Sequence, residues 1–140
     1  MSTKSIPTVQ AIHHVAVVVD DMEKSLAFWR DALGIELHEL REVPAEKSQV
    51  AFLPLPGAEV ELVLPTTDDS GLAKYLDKRG PGMHHLCLQV DDIVGMLAQL
   101  KSKGIRLINE EPRVAADGKQ YAFVHPESTG GVLVELYQIK

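Results

Sequence analysis

The segment IHHVAVVVDD at residues 12–21 recurs as MHHLCLQVDD at residues 83–92, and this repetition indicates how the chain folds. The second copy begins 71 residues after the first. The repetition continues along the chain, and the later matches are Ala51-Phe52 with Ala122-Phe123 and Val60-Glu61-Leu62 with Val134-Glu135-Leu136. The chain is therefore interpreted as two copies of one module. Each module opens with a histidine pair and closes with a glutamate.

Length and composition limit the possible classes of protein. The chain has 140 residues, of which 45% are apolar and 24% are charged, as in a single soluble globular domain. No apolar run reaches the ~18 residues of a membrane span, and residues 1–9 lack the apolar centre of a signal peptide. The single cysteine, Cys87, excludes an intrachain disulfide, fits a reducing compartment and is interpreted as a small buried side chain. We expect a cytoplasmic protein.

The net charge of −6 argues against nucleic acid as a partner, because nucleic-acid binders usually present a basic face. We therefore expect no nucleic-acid partner and no membrane partner. Small anionic ligands remain possible through local clusters of lysine and arginine.

Each half shows the pattern of a strand, a helix and three further strands. The residues 12–19 and 83–90 read as strands, and each is followed by Asp-Asp, a helix-capping signal. The helix positions predicted to share one face are Met22, Leu26, Trp29 and Leu33 before Gly34, and Ile93, Leu97 and Leu100 before Gly104. The later extended segments are 49–55 with 59–64 and 120–125 with 131–139, each pair preceded by a short strand. We assign Phe28, Trp29 and Met96 to the core.

The linker and the module boundaries follow from the same pattern. Module one covers about residues 11–64, module two covers about residues 83–138, and the linker 65–82 contains a short helix that ends at Arg79-Gly80. The whole chain, 1–140, is expected to form a single domain.

Strand parity separates each histidine pair into two roles, because residues two apart in a strand share a face. Leu86, Leu88 and Val90 face the second helix, so His85 lies on the opposite, open face. The same count places the candidate site residues on the open faces of their strands: His14, Glu61, His85 and Glu135. Two imidazoles and two carboxylates are a plausible ligand set for a divalent metal ion. His13 and His84 are assigned to packing or hydrogen bonding.

The duplicated β-α-β-β-β module, with a histidine opening and a glutamate closing each half, resembles the vicinal oxygen chelate (glyoxalase/bleomycin resistance/dioxygenase) superfamily. Within it, the motifs that resemble the methylmalonyl-CoA epimerase family are IHHVAV at 12–17, LPTTDDS at 64–70 with Lys78-Arg79-Gly80, GMHH at 82–85 and FVHPESTGGVLVEL at 123–136. The resemblance implies an α+β fold, in which two tandem modules form a curved mixed sheet around a metal-binding cleft. It also implies a homodimer.

The resemblance implies a metal-dependent isomerase that interconverts (2R)- and (2S)-methylmalonyl-CoA through α-proton abstraction and a metal-stabilised enolate. The metal ligands that it implies are His14, Glu61, His85 and Glu135, with cobalt as the first choice of ion and manganese, nickel, zinc or magnesium as alternatives. Some members place a catalytic glutamate near Ala51, where alanine cannot transfer a proton. We therefore assign proton transfer to Glu135 and Glu61. A water molecule, His125 or Glu46 is an alternative second group.

Other functions of the same superfamily remain open at this point. Glyoxalase I, which isomerises a glutathione hemithioacetal, uses a similar metal site. A dioxygenase with two histidines and one carboxylate is a further alternative, and a metal-free protein that binds drugs is the alternative outside the enzymes. The acyl group, methylmalonyl or ethylmalonyl, is also open.

Overall fold

The computed structural model describes residues 6–139, which fall into two compact units. The first unit is the continuous segment 14–84, and the second comprises residues 6–13 and 85–139. The boundaries fall inside the first strand of each repeat, β1 (Val9–Val18) and β5 (Gly82–Val90). The module limits 11–64 and 83–138 and the single-domain description stay predictions.

The first unit contains the strands and helices of the first module and the helix of the linker. After β1 come α1 (Met22–Leu26), a π-helical turn (Ala27–Ala32), β2 (Glu39–Val43), β3 (Ser48–Leu55), β4 (Ala58–Pro65) and α2 (Gly71–Arg79). The hydrogen-bonded order is β2-β3-β4-β1, with β1 parallel to β4 and the other pairs antiparallel. The predicted linker helix is confirmed, and it ends at Arg79 with Gly80 as its C-cap.

The second unit repeats this arrangement. It contains β5, α3 (Ile93–Ser102), β6 (Arg113–Val114), β7 (Gln120–Val124) and β8 (Val134–Gln138). The order is β5-β8-β7-β6, with β5 parallel to β8 and the other pairs antiparallel. The α+β class, the mixed strand pairing and the two β-α-β-β-β modules are therefore confirmed. Among residues 6–139, no helix is long and apolar enough to cross a membrane.

Each unit has its own apolar core between the sheet and the helix of the same module. In the first unit, Val19 and Leu62 of the sheet side pack with Met22 and Leu26 of α1. In the second unit, Val90 and Leu136 form a cluster with the α3 residues Ile93, Met96 and Leu97. Val90 belongs to the second cluster and Leu88 packs against it, as parity predicted, whereas Leu86 is not part of that cluster. The core assignment of Met96 is confirmed.

The Asp-Asp signals act as predicted at both helix starts. The Asp21 carboxylate accepts the backbone N–H of Lys24 at 3.1 Å, and the Asp92 carboxylate accepts that of Gly95 at 3.0 Å. Each bond satisfies one of the N–H groups that the first turn of a helix leaves unpaired.

The first helix departs from the predicted regular α-helix over 22–33. After Leu26 the backbone widens into a π-helical turn, in which the Leu33 N–H donates to the carbonyl of Phe28. The first module has one more residue than the second between its capping aspartate and its glycine, 21 to 34 against 92 to 104. Trp29 still packs against the core, but Phe28 is 52% and Leu33 54% exposed. The core assignment of Phe28 and the core-facing position of Leu33 were therefore wrong.

The last strand is shorter than the predicted extended segment 131–139. Gly130 and Gly131 adopt positive φ values of 76° and 97°, a left-handed conformation that glycine tolerates and a strand cannot continue through. β8 therefore begins only at Val134.

Candidate metal centre

The first unit brings His14 and Glu61 together on one face of the sheet. β1 and β4 are parallel neighbours, with Ala16 paired to Glu61, and His14 lies two residues before Ala16. The Nδ1 atom of His14 is 3.2 Å from Oε2 of Glu61. Their side chains are only 8% and 15% exposed, so the imidazole and the carboxylate are largely shielded from water.

The second unit contains the same arrangement. β5 and β8 are parallel neighbours, Cys87 is paired to Glu135, and His85 lies two residues before Cys87. The Nε2 atom of His85 is 3.0 Å from Oε1 of Glu135, and the two side chains are 13% and 11% exposed. The repeat in the sequence has thus produced the same strand register in both units, with Nδ1 of His14 and Nε2 of His85 as the nitrogens that face the carboxylates. Cys87 itself is fully buried, as predicted.

The chemistry of each pair fits a divalent metal ion. Two ligand atoms that bind one ion at about 2.1 Å in adjacent octahedral positions lie about 3.0 Å apart. The nitrogen to oxygen distances of 3.2 Å and 3.0 Å are those of a direct ion pair or hydrogen bond, and they also allow both atoms to bind one ion. A largely buried carboxylate also requires a positive partner, because removal of a charge from water costs several kcal/mol. Within each unit, the donors are suited to manganese, cobalt, nickel or zinc.

The structure thus brings together two of the predicted ligands in each unit. His14 meets Glu61, and His85 meets Glu135. The four-residue shell remains a prediction.

The neighbouring histidines have packing roles, as predicted. The His13 ring lies 4.6 Å from the ring of Tyr137, measured between centroids and tilted by 54°. The His84 ring lies 4.6 Å from that of Tyr75 in an edge-to-face contact. Aromatic contacts of this kind fix ring orientation.

Position 51 does not belong to the ligand face. Ala51 is fully buried in the core of the first unit, and its cross-strand partner is Leu62 rather than Glu61. A carboxylate at this position would enter the apolar core. The absence of a glutamate here therefore removes no group from the face that carries His14 and Glu61.

Glu46 and His125, the alternative proton-transfer groups, lie at the ends of strands. Glu46 ends a short helical turn just before β3, where Ser48 pairs with Pro65. Pro65 is four residues beyond Glu61 on β4, about 13 Å along a strand. His125 follows β7, and its Nδ1 accepts the backbone N–H of Glu127 at 3.0 Å, which leaves Nε2 to carry the ring proton.

Two phenylalanines on the ligand faces received no functional role from the sequence. Phe52 is the cross-strand partner of Glu61, and Phe123 is the partner of Glu135. The ring of Phe123 meets that of His85 edge to face, with centroids 5.6 Å apart. The signal was present in the sequence, because Ala51-Phe52 and Ala122-Phe123 belong to the repeat.

Comparison with known proteins agrees with this geometry. A sequence model of the Glyoxalase/Bleomycin resistance protein/Dioxygenase superfamily matches residues 13–123. The chain is 40% identical over 137 residues to the mitochondrial methylmalonyl-CoA epimerase of Homo sapiens, covering 97% of this chain and 78% of that protein. It is 37% identical over 130 residues to the ethylmalonyl-CoA/methylmalonyl-CoA epimerase of Cereibacter sphaeroides, covering 91% and 97% of the two chains.

A solved structure extends the similarity to three dimensions. A single-residue variant of the methylmalonyl-CoA epimerase of Streptomyces coelicolor, in complex with 2-nitronate-propionyl-CoA, superposes with a TM-score of 0.83 at 28% identity. The match covers 94% of this chain and 95% of that one. The chain therefore belongs to the glyoxalase/bleomycin resistance protein/dioxygenase superfamily and, within it, to the methylmalonyl-CoA epimerase family.

Proposed function

We propose that this protein is a metal-dependent epimerase that interconverts (2R)- and (2S)-methylmalonyl-CoA. The observation that carries the proposal is the buried histidine and carboxylate pair that occurs once in each unit, His14 with Glu61 and His85 with Glu135. The human and Cereibacter relatives are named for this activity, and the Streptomyces structure holds an acyl-CoA analogue. An acyl-CoA is therefore the proposed substrate.

The four residues His14, Glu61, His85 and Glu135 are the proposed ligands of one divalent ion. The repeat supports this set, because both halves offer the same two donors from equivalent strand positions. Cobalt is our first choice, and manganese, nickel, zinc and magnesium are alternatives. When bound, the ion would supply a positive charge that stabilises the negative charge developing on the thioester oxygen, next to the charge that the substrate carboxylate already carries.

Inversion of the α-carbon requires removal of a proton from one side and its return from the other. We assign these steps to Oε atoms of Glu135 and Glu61, one from each half. Each carboxylate is largely buried and directed by its histidine neighbour, which limits its rotation and keeps bulk water away. General acid or base catalysis by one positioned group contributes roughly 10²- to 10⁴-fold.

The test follows exchange of the substrate α-proton with solvent deuterium. Wild-type protein with methylmalonyl-CoA in D₂O should exchange this proton and form both epimers, and a chelator should abolish the reaction until metal is restored. Glu135→Gln, which keeps the shape of the side chain, should lower exchange by at least about 10²-fold. Absence of metal-dependent exchange in the wild type would remove the proposed function. Undiminished exchange in Glu135→Gln would remove only the assignment of that residue.

Two further expectations belong to this proposal. We infer a homodimer, which light scattering at several protein concentrations would test. We also infer a cytoplasmic location, which cell fractionation would test.

A further inference from the structure

Phe52 and Phe123 lie next to Glu61 and Glu135, the two proposed proton-transfer groups. In the first unit, β3 and β4 are antiparallel and Phe52 lies directly opposite Glu61. In the second unit, β7 and β8 are antiparallel and Phe123 lies directly opposite Glu135. Residues directly opposite in an antiparallel pair project from the same face, with Cβ atoms about 4.5–5.5 Å apart. Each half therefore places one phenyl ring beside one carboxylate.

Each phenyl ring contacts a neighbouring side chain. The Arg41 guanidinium lies 4.8 Å from the centroid of the Phe52 ring, and it donates hydrogen bonds of 2.9 Å and 2.7 Å to the Glu39 carboxylate. Phe123 meets the ring of His85 edge to face. Each ring therefore has one contact that favours a particular orientation.

Both rings also retain accessible surface. Phe52 and Phe123 are half-buried, and neither is a member of the apolar core of its unit. Large apolar side chains that stand outside the core, on the face that carries the proposed metal ligands, are suited to contact an apolar part of a ligand.

We propose that Phe52 and Phe123 contact the α-substituent of the acyl group and determine which substituents the enzyme accepts. This inference rests on the proposed epimerase function. The reaction passes through a planar enolate. The α-substituent lies on one side of that plane in one epimer and on the other side in the other epimer. One carboxylate must approach the α-carbon from each side, and the substituent of one epimer lies on each of the same two sides. An apolar surface is therefore needed next to each carboxylate. The repeat provides one phenyl ring for each.

The test compares methylmalonyl-CoA, with an α-methyl group, and ethylmalonyl-CoA, with one additional methylene. Phe52→Leu and Phe123→Leu should shift the ratio of kcat/KM values toward ethylmalonyl-CoA by about 10-fold, the lower end of the effect of one methylene in an apolar pocket. Phe52→Trp and Phe123→Trp should shift it toward methylmalonyl-CoA. Opposite shifts for smaller and larger side chains would not arise from a general loss of structure.

Tyr121→Leu is the matched control. Tyr121 lies on the same face of β7 and its ring is 6.3 Å from that of Phe123, but its cross-strand partner is Tyr137 rather than a carboxylate. This variant should leave the substrate ratio unchanged. Circular dichroism melting of every variant identifies any that fail to fold.

Binding provides a readout that needs no turnover. Calorimetry of the metal-loaded protein with propionyl-CoA and butyryl-CoA should show the butyryl compound favoured in the leucine variants and disfavoured in the tryptophan variants, relative to wild type. Unchanged ratios in folded leucine and tryptophan variants would overturn the role of the phenylalanines while the epimerase function stands. A wild-type protein without metal-dependent exchange would instead overturn the proposed function and, with it, this assignment.

Discussion

The Nε2 atom of His85 lies 3.0 Å from Oε1 of Glu135, on two parallel strands that are direct neighbours. The relationship depends on register, because the histidine stands two residues before the cross-strand partner of the glutamate. The same register recurs in the other unit between His14 and Glu61. A one-residue slip of either strand would turn one member of the pair toward the helix. The packing of the core therefore holds the ligand pairs in place.

Metal affinity should depend on one histidine of each repeated pair and not on the other. His14→Ala removes a proposed ligand and should weaken cobalt binding by at least about 100-fold. Mutation of a residue that only supports a ligand weakens metal binding by up to about 100-fold, so loss of a ligand should cost at least as much. His84→Ala is the control, because His84 packs against Tyr75. It should lower the melting temperature with little change in affinity. A competition titration with a chromophoric chelator measures both values, and equal affinities in the two variants would refute the division of roles.

Position 51 provides a test of the face assignment. Ala51→Glu should not raise exchange activity, since its side chain would enter the apolar core with Leu53 and Leu62. Burial of an unpaired carboxylate there should lower the free energy of unfolding by several kcal/mol, as for other uncompensated buried charges. Urea denaturation and the deuterium-exchange assay measure the two effects. A stable, more active variant would show that position 51 faces the substrate.

The segment that leads into β1 should loosen at low pH. The backbone N–H and hydroxyl of Thr8 donate to the Asp91 carboxylate at 2.8 Å and 3.0 Å, and the backbone bond is the main cause that holds the pKa of Asp91 below its ordinary value of 3.8. The hydrogen bonds from Thr8 to Asp91 therefore stabilise the folded protein at pH values above the ordinary pKa of Asp91. This stabilisation is lost as the pH falls through the lowered pKa of Asp91.

Hydrogen exchange of the Thr8 amide measures this attachment. In the wild type, its protection should fall as the solution is acidified through the lowered pKa of Asp91. Asp91→Ala should show weak protection of this amide already at neutral pH. Equal protection in the wild type and the variant at neutral pH would show that the carboxylate does not hold the segment.

The sequence predicted those features that follow from a period of two or from local capping. The alternation in 83–90 placed His85 and Val90 on opposite faces, and Asp92 marked the start of α3. These features follow from local backbone geometry, which is set by the residues of the segment itself. The repeat also aligned Glu61 with Glu135, whereas the register that pairs Ala16 with Glu61 and Cys87 with Glu135 was not predicted.

Features that depend on packing were not accessible in this way. The periodicity of 22–33 favoured a regular helix, whereas one additional residue is accommodated as a π-helical turn that leaves Phe28 exposed. The role of Phe123 as the neighbour of His85 required knowledge of which β7 residue lies opposite Glu135. A repeated phenylalanine reads equally well as part of a core until its face is known.

The number of divalent ions that each chain binds tests whether His14, Glu61, His85 and Glu135 form one metal site. Titration of metal-free protein with cobalt, followed by optical spectroscopy and elemental analysis, should give one ion per chain. Each of His14→Ala, Glu61→Gln, His85→Ala and Glu135→Gln should weaken that one site. Two independent ions per chain, one for each histidine and carboxylate pair, or no bound ion at all, would contradict the claim that the four residues form one shell.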